Sequence, residues 1–127
     1  MRALVIDDSR AMRRIVTGIL EGLGYEVQPA GHGREGLDVL DSGWVPDLAC
    51  VDWNMPVMDG LQFVMSVRAN PAYRQVTLMM VTTESETGQI VKALAAGAHE
   101  YLIKPFTADA LRDKLALLGL LPQEVPA

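Results

Sequence analysis

Leu48-Ala49-Cys50-Val51-Asp52 decides the fold: four apolar residues in a row, then an abrupt carboxylate. A short, uniformly apolar run with a polar end reads as a strand buried on both faces of a parallel sheet. The pattern recurs three times. Ala3-Leu4-Val5-Ile6 ends in Asp7-Asp8, Leu78-Met79-Met80-Val81 in Thr82-Thr83, and Tyr101-Leu102-Ile103 in Lys104. Parallel strands share a direction, so the four polar ends must fall on one edge of the sheet, the carboxyl edge where such sheets bind ligands.

Between these runs the period changes to that of helices. Met12, Ile15, Val16, Ile19, Leu20 and Leu23 form a 3,4-spaced stripe after an Asp8 or Ser9 cap, with Gly24 as the stop. Tyr25 to Ala30 reads as a short strand, Gly31 to Gly33 as a loop, and Leu37 and Leu40 mark a second helix. Asp59 can cap a third helix carrying Leu61, Val64, Val67 and Arg68, which Asn70-Pro71 ends. Thr83-Glu84-Ser85-Glu86 fits a capping box opening a fourth, with Ile90, Val91, Leu94 and Ala95 on one side and Gly97 at its end. The fifth carries Leu111, Leu115 and Leu118 between Thr107 and Gly119. Five strands alternating with five helices predict an α/β fold with a parallel sheet covered on both faces. One domain over residues 1–119 is expected, followed by a loosely ordered tail at 120–127.

The bulk numbers narrow the function. The 127 residues carry a net charge of −5, and half of them are hydrophobic. This balance argues against a nucleic-acid surface, which needs a basic stripe. No run reaches the roughly 20 apolar residues of a membrane span, and the first strand begins at once, so a cytoplasmic protein without membrane insertion is expected. The single cysteine, Cys50, reads as a small buried hydrophobe.

Asp7, Asp8 and Asp52 at one edge crowd three negative charges, which a cation must relieve unless a proton is retained. Magnesium is the natural partner, since it takes oxygen ligands and shares its shell with phosphate. Imidazole and thiolate ligands for zinc are missing, with His32 and His99 expected to be solvated. Beside such an ion a carboxylate can act as a nucleophile on phosphorus, with Lys104 and the Thr82 hydroxyl toward the phosphoryl oxygens. Asp52 is the expected nucleophile, because it ends a central strand.

At this point the chain resembles the receiver domain of bacterial two-component response regulators, and within it the stand-alone, CheY-type chemotaxis regulators. The resemblance runs from Ala3 through Leu118. It rests above all on Asp7-Asp8-Ser9-Arg10-Ala11-Met12-Arg13-Arg14-Ile15-Val16, Asp52-Trp53-Asn54-Met55-Pro56-Val57-Met58-Asp59-Gly60 and Lys104-Pro105-Phe106-Thr107. It implies a flavodoxin-like (βα)5 three-layer sandwich with sheet order 2-1-3-4-5, of which the chemotaxis regulators are a standard example. It further implies that Asp52 accepts phosphate from a histidine kinase, that Asp8 and Asp52 bind Mg²⁺ together with the Asn54 carbonyl, and that Asp7 acts mainly through water. Thr82 and Lys104 match the family's switch hydroxyl and phosphate-binding lysine, Tyr101 its aromatic switch, and Asn54 and Glu84 the positions that tune hydrolysis. Lys104-Pro105 matches a peptide bond that is usually cis. The implied output face is the fourth helix, fifth strand and fifth helix of a monomer. Its partners would be a flagellar switch or a histidine phosphotransfer protein, with a phosphatase as a further one.

The chain departs from the enteric chemotaxis pattern at Glu86 and Thr87, where a basic pair is usual, although Lys114 matches a basic residue of that surface. Thr83 is bulkier than the small residue often found beside the switch hydroxyl. Gly88 costs the fourth helix up to about 1 kcal/mol relative to alanine. Three other readings compete with a motor-type regulator. A relay or phosphate sink would use the same residues. A Mg²⁺-dependent phosphohydrolase would need Asp-x-Asp after the first strand, where this chain has adjacent aspartates. A degenerate receiver would lack a key group, and none is missing.

Overall fold

The alternation is realised as β1 (Arg2–Ile6), α1 (Arg10–Gly22), β2 (Glu26–Ala30), α2 (Gly33–Asp41), β3 (Leu48–Asp52), α3 (Gly60–Ala69), a 3-10 turn (Pro71–Tyr73), β4 (Thr77–Thr83), α4 (Thr87–Ala96), β5 (Glu100–Lys104) and α5 (Ala108–Leu117). The structure is a computed structural model and describes residues 1–83 and 87–122, with only the backbone of Thr87. All four strand pairings are parallel and the order is β2-β1-β3-β4-β5, as the resemblance implied.

Alternation along each strand divides the core into two layers. Leu4, Ile6, Ala49, Val51, Leu78 and Met80 face α2, α3 and α4, where they meet Leu37, Phe63, Val67 and Ala93. Ala3, Val5, Leu48, Cys50, Met79, Val81 and Leu102 face α1 and α5, where they meet Val16, Leu20, Leu111 and Leu115. All five residues of β3 are buried, as expected of a central strand covered on both faces.

The helix starts follow their capping residues. The Ser9 hydroxyl accepts from Met12 N at 3.3 Å, and the Thr107 hydroxyl from Ala110 N at 3.1 Å. Asp59 and Gln62 form a reciprocal capping box on α3, at 2.9 and 3.0 Å.

Four expectations change. On α4 the buried residues are Ile90 and Ala93, whereas Val91 and Leu94 are exposed. The helix is apolar on most sides, so periodicity alone placed Ile90 correctly but took Val91, Leu94 and Ala95 where Ala93 is the other buried residue. On α3 Val64 and Val67 are buried as expected, but Leu61 is only half-buried and Phe63, not named in the stripe, is fully buried beside them. The histidines are not simply solvated. His32 Nδ1 caps α2 by accepting from Glu35 N at 3.3 Å, and His99 Nδ1 accepts from Leu78 N at 3.1 Å. Burial, and then the Arg68 guanidinium, hold His99 below its ordinary pKa. Finally, the described residues just beyond Gly119 continue to pack. Leu120 N donates to Leu115 O at 2.8 Å, Leu120 and Leu121 join the α1/α5 layer, and Leu120 O accepts from the Tyr25 hydroxyl. The capping box proposed at 83–86 lies largely outside the described residues, as do Glu84 and Glu86, and Thr83 is the last residue of β4.

No helix among the described residues is long and apolar enough to cross a membrane.

Candidate functional site

Among the described residues three polar side chains are buried, Asp7, Asp52 and Thr82, and all three are strand-end residues at one edge of the sheet. Burying such groups is unfavourable unless they find partners. For the carboxylates the partner is Lys104. Its ammonium lies 2.9 Å from Asp7 Oδ2 and 3.3 Å from Asp52 Oδ1. The other Asp7 oxygen accepts from Ser9 N at 2.8 Å, and the Asp7 carbonyl accepts from Arg13 Nη1 at 2.7 Å. Asp7 is therefore committed to internal hydrogen bonds, while its neighbour Asp8 is exposed.

Strand parity explains which groups meet. Carried one step past the core residues, alternation puts Asp7, Asp52 and Lys104 on the α1/α5 side. Thr82 follows Leu78 and Met80 on the opposite side, the side against which Tyr101 packs. Asp52 pairs in register with Val81, Thr82 with Ile103, and Met80 with Tyr101. The hydroxyl thus sits one step along β4 from the central carboxylate, and on the aromatic's side of the sheet.

The electrostatics follow from this crowding. Burial first, and the Asp7 charge second, push the Asp52 carboxyl up to about 6, against the pull of Lys104. Burial alone would lower the Lys104 ammonium, but the hydrogen bond to Asp7 and the charge of Asp52 outweigh it, and its pKa is raised.

One ammonium faces three carboxylates. Asp7, Asp8 and Asp52 each offer an oxygen, and these oxygens lie within 4.8 Å of one another. This oxygen-only donor set fits a hard divalent cation such as Mg²⁺. His32, which caps α2, and His99, which accepts from the Leu78 N–H, are not part of it.

The loop after β3 is built around a close approach. Gly60 N donates to Trp53 O at 2.9 Å, and a Cβ at Gly60 would stand 2.5 Å from the Asp52 carbonyl oxygen. Within the loop Met58 N donates to Pro56 O at 2.7 Å across Val57, whose φ is 67°. This is a γ-turn with a β-branched residue at its left-handed centre. Met58 O in turn accepts from Gly33 N at 3.1 Å, docking the loop on the start of α2. Asn54 is exposed at the beginning of this loop.

Gly60 and Val57 are the site-shaping residues that the sequence reading missed. Both stood in the quoted motif, where they read only as part of the loop after the third strand. The Lys104-Pro105 bond is cis, as the resemblance implied. Beside it an apolar cleft of about 400 Å³ is lined by Met12, Ile15, Thr83, Lys104, Pro105 and Phe106.

Comparison with known proteins agrees with this geometry. The family model of the response regulator receiver domain matches residues 3–116. Chemotaxis protein CheY1 of Helicobacter pylori (strain J99) is 42% identical over 119 residues, covering 93% of this chain and 96% of the relative. A chemotaxis protein CheY homolog of Campylobacter jejuni is 43% identical over 116 residues, covering 91% and 89%. Among solved structures, chemotaxis response regulator CheY4 of Vibrio cholerae superposes with a TM-score of 0.84 at 36% identity, covering 92% of this chain and 97% of that one. The edge where Lys104 joins Asp7 to Asp52 is thus that of a known fold and family, and the chain belongs to the response regulator receiver domains.

Proposed function

We propose that this chain is a phospho-accepting response regulator of chemotaxis signalling in the cytoplasm, with Asp52 as the acceptor and a histidine kinase as the donor. The observation that carries this reading is the Lys104 ammonium shared between Asp7 and Asp52, with Asp8 close enough to complete an oxygen-donor set. Asp8, Asp52 and the Asn54 carbonyl would hold Mg²⁺, and Asp7 would contribute through water. The ion, when bound, neutralises charge on the phosphoryl oxygens.

The remaining steps belong to the chain's own groups. An oxygen of Asp52 attacks the phosphorus of a phosphohistidine. The P–N bond breaks, its electron pair returns to the imidazole nitrogen, which takes up a proton from water, and the phosphoryl group stays on Asp52 as an acyl phosphate. Lys104 already lies on the Asp52 carboxylate and supplies a positive charge to the incoming oxygens. Thr82 can then donate its hydroxyl to the new group. Its movement frees room on the side of the sheet that it shares with Tyr101, and Tyr101 turns to fill it. The face so altered is α4, β5 and α5. The chemistry is confined to gaining and losing the chain's own phosphate.

Incubation with acetyl phosphate and Mg²⁺ tests the reading. Acid-stable, hydroxylamine-labile phosphate is expected on the wild type and not on Asp52→Asn. Equal uptake by the two proteins would overturn it. Phosphate-dependent binding to a flagellar-switch peptide would identify a motor output, and rapid transfer to a histidine phosphotransfer domain a relay or sink.

A further inference from the structure

Tyr101 is held from outside by a pair of charged residues. The Lys114 ammonium stands 4.8 Å from the centroid of its ring, within cation–π range. The same ammonium lies 3.1 Å from Glu100 Oε1, and that oxygen also accepts the Tyr101 backbone N–H at 2.9 Å. One carboxylate thus fixes both the backbone of Tyr101 and the cation on its ring. Both side chains of the ion pair are largely withdrawn from water, with 29% exposure for Lys114 and 23% for Glu100.

The topology makes this contact unusual. β5 is an edge strand, and the Tyr101 ring packs with the α2/α3/α4 layer, whereas Lys114 stands on α5 across the sheet. The lysine therefore reaches around the open edge to meet the ring.

We infer that Glu100 and Lys114 form a clamp on Tyr101, with Lys114 a positioning residue for the switch; this rests on the switch role proposed for Tyr101. Turning the ring inward gives up its contact with the ammonium, so the clamp biases the chain toward its unphosphorylated arrangement. Removing the cation is expected to shift the ring's equilibrium about two- to fivefold.

Fluorine NMR of protein labelled with 3-fluorotyrosine tests the clamp, with Tyr25 and Tyr73 as internal references. Without any phosphodonor, Lys114→Met is expected to move the Tyr101 resonance. Glu100→Gln should move it the same way by less, and Lys114→Arg, which keeps a cation over the ring, should restore the wild-type position. The Tyr25 and Tyr73 resonances should stay in place, which separates loss of the clamp from loss of the fold. With acetyl phosphate and Mg²⁺, the switched fraction of Tyr101 per phosphorylated molecule should rise about two- to fivefold in Lys114→Met. An unmoved Tyr101 resonance in both Lys114→Met and Glu100→Gln overturns the clamp, and an unchanged switched fraction overturns its role in switching. Failure of the wild type to take up phosphate overturns the proposed function instead, and the donor-free comparison still decides the clamp.

Discussion

The Lys104 ammonium donates to the Asp7 carboxylate across 2.9 Å, joining β5 to β1 over the ends of the two intervening strands. Asp52 lies on β3 between them and shares the same ammonium at 3.3 Å. A single lysine thus partly offsets two buried acids, and the imbalance has measurable consequences.

The first concerns stability. Because the folded Asp52 carboxyl is pushed up to about 6, the folded chain holds that proton more tightly than the unfolded chain, whose aspartate titrates near its ordinary value of about 4. Stability from this group is therefore lost as pH rises from about 4 to about 6, and the penalty is complete above that window. Asp52→Asn removes the charge and keeps an acceptor for Lys104. Urea unfolding without magnesium should find the variant more stable by about 1 kcal/mol at neutral pH, discounted from the full linkage value for solvent screening. The gain should vanish near pH of about 4. A variant less stable than the wild type at neutral pH would contradict this electrostatic account.

Trp53 gives an optical reading of the same site. It follows Asp52 directly and is buried in the α2/α3/α4 layer, whereas Trp44 is half-buried with the Arg2 guanidinium 5.3 Å from its ring. In Trp44→Phe, titration with Mg²⁺ should give a saturable fluorescence change that Asp8→Asn weakens. A flat titration in Trp44→Phe would count against the oxygen-donor set.

Gly60 couples backbone packing to the acid. A methyl group there would stand 2.5 Å from the Asp52 carbonyl and 2.8 Å from Met80 Cε. Gly60→Ala should cost about 1–3 kcal/mol of stability, the range for overpacking a filled site. It should also weaken Mg²⁺ binding by displacing the end of β3. Calorimetric melting and Mg²⁺ titration of the variant check both, and wild-type values in the two measurements would refute the argument.

Val57 predicts the opposite sign. It is exposed and carries φ of 67°, a region that asparagine tolerates better than a β-branched residue. Val57→Asn should raise the urea midpoint, by about 1 kcal/mol in free energy. A lower midpoint would show that the valine side chain earns its place by contacts in the loop.

These tests also mark where the sequence was legible. Strand ends such as Val51-Asp52 and Ile103-Lys104 were readable because burial on both faces makes a run uniformly apolar and its exit abrupt. Caps such as Asp59 and Thr107 were readable because their partners lie three residues away. The α4 face was readable only at Ile90, since Ile90, Val91, Ala93 and Leu94 leave the helix apolar nearly all round and only its contact with the sheet selects Ala93 over Val91 and Leu94. The Gly60 approach, the hydrogen bond from Leu78 N to His99 and the clamp of Glu100 and Lys114 on Tyr101 were equally hidden. Each depends on chain segments brought together by folding rather than on local spacing. Among the candidate site residues, the charged ones declared themselves by position, and the residues that shape their surroundings did not.

Trapping the acyl phosphate and locating it on the chain tests the role of Asp52 directly. After incubation with acetyl phosphate and Mg²⁺, borohydride reduction converts a phosphorylated aspartate to homoserine, which peptide mass mapping can place. Homoserine is expected at position 52, dependent on Mg²⁺, with reduced yield in Lys104→Ala. Homoserine at Asp7 or Asp8, or no homoserine in the wild type, would contradict it.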